Sequence, residues 1–93
     1  MSEVYKIKHI PSGYFLKPST NGSNLSKKGK VYEGNMVWTK VQNRTMYTLL
    51  RIQEWSNPKL FKEMKEKFPD AISNTSYNLY IPTKPEDFEK VNM

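Results

Sequence analysis

The chain predicts a single α+β domain, a small N-terminal antiparallel β-sheet with one main α-helix in the C-terminal half. Three observations carry this. The first half alternates apolar and polar residues in short runs broken by Pro and Gly, which is the period of half-buried strands. Residues 58–68 instead repeat their apolar positions at three- and four-residue spacing, behind an Asn-Pro pair suited to a helix start. The 93 residues contain no internal repeat and no linker, enough chain for one modest core.

The elements follow in order. A first strand is expected over 4–10, with Tyr5, Ile7 and His9 on one face and Val4, Lys6, Lys8 and Ile10 on the other. Pro11-Ser12-Gly13 reads as a hairpin loop leading to a second strand at 14–18, which ends at Pro18 because proline donates no ladder hydrogen bond. STNGSN (19–24) is small and polar and reads as a flexible surface loop. Strands are expected at 30–33 and 35–41, joined by a turn at Glu33-Gly34-Asn35. The stretch 41–55 carries two patterns. Residues 45–53 are rich in Thr, Tyr and Leu and favour a strand after a turn at Asn43-Arg44, yet Trp38, Val41, Thr45, Leu49, Ile52 and Trp55 fall at helical spacing. The strand is the preferred reading. Tyr5, Phe15 and Trp38 are the expected aromatic core.

In the C-terminal half, Asn57 is the expected cap and Pro58 the first residue of the helix. Leu60, Phe61, Met64 and Phe68 form its apolar face; Lys59/Glu63, Lys62/Glu66 and Glu63/Lys67 stand four apart on a solvated one. Pro69 stops it. SYNLYIP (76–82) is the last expected strand, Thr83 and Glu86 resemble a capping box before the short turn PEDFEK, and a frayed tail follows.

Charge is unevenly placed. Residues 1–51 carry nine Lys and Arg against two acids, a balance of +7, whereas residues 52–93 sum to −1. A concentrated basic excess attracts polyanions. Cysteine is absent, which excludes disulfides and thiolate metal sites. MSEVYKIKHI holds no apolar run of signal-peptide length, and no stretch approaches the ~18 apolar residues of a membrane span. A soluble cytoplasmic protein is expected, with no membrane, cofactor or metal.

The most basic stretch is NLSKKGKVYEG (24–34), where Lys27, Lys28 and Lys30 surround Gly29. It is not a P-loop: six residues, not four, separate Gly22 from Gly29-Lys30, and Val31 stands where Ser or Thr is required. A left-handed Gly29 would let neighbouring backbone N–H groups converge on an anion, but the preferred reading is a basic turn feeding a strand, whose lysines add to a binding face and form no nucleotide pocket. Catalysis has little equipment. His9 is the only histidine, so no two-histidine acid–base pair exists, and a small ribonuclease would have only Lys6, Lys8, Arg44 and Arg51 to work with. Binding is better equipped. Lys6, Lys8, Lys17, Lys27, Lys28, Lys30, Lys40 and Arg44, with Tyr14 and Tyr32 among them, are the candidate contacts to RNA or DNA, because aromatic rings stack bases while cations track phosphates. The same surface suits an acidic protein, with Tyr14, Tyr32 and Tyr47 as exposed aromatic contacts.

The run Lys8-His9-Ile10-Pro11-Ser12-Gly13-Tyr14-Phe15, then Pro18, then Asn24 to Tyr32, resembles a recurring pattern in small accessory proteins of T-even-type and other large tailed bacteriophages. The resemblance covers about residues 5–32. It implies a hairpin joined to a third strand, and a context rather than a reaction. Such proteins reprogram the host or blunt its defences, toxin–antitoxin systems among them. The implied function is inhibition of a host factor in the host-cell cytoplasm, through a nucleic-acid-binding face or through protein contacts alone.

Overall fold

The structure, a computed structural model, describes residues 4–18, 22–75 and 77–93, with backbone alone at 73–75. The fold is α+β, with two antiparallel sheets and two α-helices among the described residues. The elements are β1 (Val4–His9), β2 (Tyr14–Leu16), β3 (Leu25–Ser26), β4 (Tyr32–Glu33), α1 (Met36–Gln42), β5 (Leu49–Gln53), α2 (Pro58–Lys67), β6 (Ile72–Thr75), β7 (Asn78–Pro82) and β8 (Phe88–Asn92), with a 3-10 turn at Pro85–Asp87.

β1 is the axis of the first sheet. Its alternation is the expected one: Tyr5, Ile7 and His9 are buried, and Lys6 and Lys8 lie on the opposite face. Along one edge it pairs with β8, from Tyr5 opposite Asn92 to His9 opposite Phe88. On the other edge β2 pairs with Lys8 and His9, and β4 with Val4 and Tyr5. β3 extends the sheet from β2. The second sheet runs β5-β7-β6. One apolar cluster joins both: Tyr5, Ile7, Leu16 and Leu25 meet Leu50, Ile52, Leu79 and Ile81, and Val41, Phe88 and the Leu60, Phe61, Met64 face of α2 close over them.

The hairpin loop forms where expected. Gly13 takes φ +80 and its N–H donates to His9 O at 2.8 Å. Gly13→Val should cost about 1–2 kcal/mol, because a β-branched residue strains in the left-handed region; an unchanged thermal melt would contradict this turn.

Several expectations are corrected. Residues 35–41 form no strand; Met36–Gln42 is a helix. Its Val, Trp and Thr content favours β structure only weakly, and packing decides: Val37, Trp38 and Val41, at helical spacing, turn toward the core. The strand expected at 45–53 begins only at Leu49, because Arg44 and Tyr47 adopt φ of 60 and 59, which breaks extended pairing. Of the expected core aromatics, Tyr5 is fully buried, while Phe15 and Trp38 are half-buried. Of the loop expected at 19–24, residues 19–21 lie outside those described. Asn24 and Ser23 are not free surface: Asn24 N–H donates to Arg51 O, Arg51 N–H to Asn24 Oδ1, and Gln53 N–H to Ser23 Oγ. They act as a strand-like edge on β5. The helix at 58 starts as expected, with Asn57 Oδ1 accepting from Leu60 N–H at 3.1 Å. The last expected strand is β7 at 78–82, with residue 76 outside those described, and β6 pairs beside it. The cap expected at Thr83 and Glu86 falls one residue later: Lys84 N–H donates to Asp87 Oδ2, and Thr83 is buried with its hydroxyl on Tyr47 O. The tail is not frayed. Phe88 enters the core and 88–92 is the longest partner of β1.

Candidate nucleic-acid interface

The basic stretch folds back on β2. Gly29 takes φ +68, its N–H donates to Ser26 Oγ at 2.7 Å, and Lys30 N–H donates to Leu16 O at 3.1 Å. The left-handed glycine is present, but both N–H groups are already used within the fold, so the backbone does not form an anion nest here. The stretch is a basic turn, with Lys27 and Lys28 exposed at its tip.

That tip faces α2. Tyr14, Ser26, Lys27 and Lys28 on one side, and Asn57, Lys59, Leu60 and Glu63 on the other, line a groove of about 510 Å3. Three ammonium groups against one carboxylate leave it a net positive charge. Glu63 does not act as a purely solvated helix charge: Tyr14 Oη donates to its Oε2 at 2.7 Å. This bond, and the adjacent negative charge, raise the Tyr14 pKa and keep the phenol protonated.

The other candidate contacts are spread over the molecule. Lys6 and Lys8 lie on the outer face of the first sheet, Lys6 Nζ 5.5 Å from the Phe15 ring centroid. Cross-strand pairing puts Glu89 beside Lys8 and Glu33 beside Val4 on that same face, so its charge is largely compensated. Lys17 and Lys40 are exposed away from the groove lining. Arg44 Nη1 donates to Thr83 O at 2.8 Å, holding the loop before β5. Lys30 sits 5.8 Å from the Tyr32 ring. Tyr32 is a correction: it is buried, its hydroxyl 3.4 Å from that of Tyr47, and burial with this contact raises its pKa. It offers no ring for stacking. Tyr47 is half-buried, and the aromatic residues most open to solvent are Trp55 and Tyr77.

Sequence spacing brought Lys27, Lys28 and Tyr14 forward but not Ser26, Asn57, Lys59, Leu60 or Glu63. Only the tertiary approach of α2 to the β2–β3 edge unites them, and Lys59 and Glu63 read in sequence as an ordinary helical pair.

His9 lies outside this groove. It is 1 % exposed, its ring 5.9 Å from Phe68 and 5.6 Å from Phe88, with Nδ1 2.8 Å from Ser12 Oγ. Arg51 Nε donates to Gly22 O. Among the described residues no helix is long and apolar enough to cross a membrane. Comparison with protein-family models, with curated proteins and with solved structures finds no match to this chain.

Proposed function

We propose that this chain is a small phage accessory protein that inhibits a host factor in the host-cell cytoplasm, and that it engages single-stranded RNA or DNA in doing so. The observation that carries the reading is the groove between the Ser26–Lys28 turn and α2. It concentrates Lys27, Lys28 and Lys59 beside the Tyr14 ring, a pairing of cations for phosphates and an aromatic face for bases. The +7 balance of residues 1–51 supports it by drawing a polyanion toward that half of the molecule. No chemical step is assigned. His9 is enclosed, and Arg44 and Arg51 both donate to backbone carbonyls.

Binding to a short single strand should weaken steeply with salt, because each neutralised phosphate releases condensed counterions. Replacing Lys27, Lys28 and Lys59 together by Gln should reduce the slope of log affinity against log salt by about 2, at roughly 0.7 per phosphate contact. An anisotropy titration at several salt concentrations reads this directly. Wild-type protein that binds no single strand at low salt would end the nucleic-acid reading.

A second reading, inhibition through protein contacts alone, has one observation in its favour. Trp55 is 66 % exposed and lines a shallow cavity with Pro58 and Phe61, and exposed Trp is a frequent anchor of protein interfaces.

A further inference from the structure

We infer that the groove between the Ser26–Lys28 turn and α2 holds an unstacked guanine of a single-stranded nucleic acid, with Glu63 reading its Watson–Crick edge. The inference rests on the nucleic-acid reading above and adds a base preference to it. A groove that only held phosphate would be weakened by a carboxylate, yet Glu63 lines it among three lysines. Glu63 is also oriented: Oε2 accepts from Tyr14 Oη at 2.7 Å, while Oε1 has no partner among the described residues.

An ionised carboxylate only accepts hydrogen bonds, so it selects a ligand by its donors. Guanine alone among the bases presents two adjacent donors on its Watson–Crick edge, N1–H and the N2 amino group, which match two carboxylate oxygens. Cytosine and adenine offer one amino group there. Thymine and uracil offer one N–H between two carbonyls, whose oxygens a carboxylate repels. Single-stranded bases are commonly read in this way, splayed from the strand onto an aromatic ring and bonded along that edge. Tyr14, half-buried and packed against the core, offers the open side of its ring, Lys27, Lys28 and Lys59 reach the flanking phosphates, and the volume of about 510 Å3 lies within the range of small-ligand sites.

The test uses the whole chain and short oligo(dT) strands that carry one central guanine, cytosine, adenine or thymine, titrated by fluorescence anisotropy at low salt. A single guanine should tighten binding about fivefold or more over plain oligo(dT), the lower end of what a bidentate base contact contributes. Glu63→Gln should bring the guanine strand down to the affinity of plain oligo(dT) measured on the same variant, because the amide NH2 it introduces opposes the guanine donors. Equal affinity for all four strands would overturn the guanine site and leave the polyanion reading standing. Absence of binding to every strand would overturn both, and a guanine preference that survives Glu63→Gln would overturn the role of Glu63.

Discussion

Gly29→Ala should lower the melting temperature by on the order of 15 °C, corresponding to about 2–4 kcal/mol in a domain of this size. Two effects add at this position. With φ at +68, any L residue pays about 1–2 kcal/mol of backbone strain. Independently, a Cβ on residue 29 would stand 2.4 Å from Phe15 Cβ, with Leu16 O at 3.3 Å. Phe15 Cβ is fixed to the β2 backbone, so no rotamer change relieves the clash; the turn must lift off the strand, and the bond from Lys30 N–H to Leu16 O goes with it. Gly13→Ala is the control. Gly13 has a similar φ of +80 but nothing within 4 Å of its Cβ position, so only the strain applies. Thermal denaturation of both variants checks the account, and equal losses would contradict the close approach of the turn to β2.

Stability should fall by about 3 kcal/mol between pH 6.5 and pH 4 through His9 alone. Burial disfavours the imidazolium and lowers the His9 pKa to about 4, against the partial opposition of Asp87 and with a smaller contribution in the same direction from Lys67. The unfolded chain therefore takes up the proton first, at its ordinary pKa of 6.5. The neutral ring contributes its full stability above that pH, loses it progressively down to about 4, and changes nothing further below. Urea titrations across this range measure the slope. In His9→Gln the slope should be shallower by about one proton, and an NMR titration of the wild-type ring should place its midpoint near 4. A midpoint near 6.5 would mean that the ring is solvated.

Much of this fold is local and was legible as such. The alternation of Tyr5, Ile7 and His9, the loop at Gly13, the left-handed conformation open to Gly29 and the Asn57-Pro58 helix start are all decided by residues within one turn or one pleat of each other. What escaped the sequence is decided elsewhere. Met36–Gln42 becomes a helix because Val37, Trp38 and Val41 meet a core supplied by other segments. Phe88 to Asn92 looks like a charged tail until β1 offers it an edge. Asn24 and Ser23 look like loop residues until β5 presents its backbone. The candidate site divides the same way. Lys27 and Lys28 announce themselves by density, whereas Glu63 owes its part to a tyrosine 49 positions away.

The pairing of β1 with β8 bears on when the protein folds during its synthesis. β1 leaves the ribosome well before β8, so its long edge stays unpaired until residues 88–92 have been translated. Loop-closure entropy is large for such a contact, and partial chains cannot offset it with native pairing. Until then the nascent chain must carry that edge of β1, from Tyr5 to His9, with its backbone N–H and C=O groups open to water or to another strand. Lys6 and Lys8 alternate with the buried Tyr5 and Ile7 along this strand, and their charge opposes pairing of the open edge with another chain during that wait.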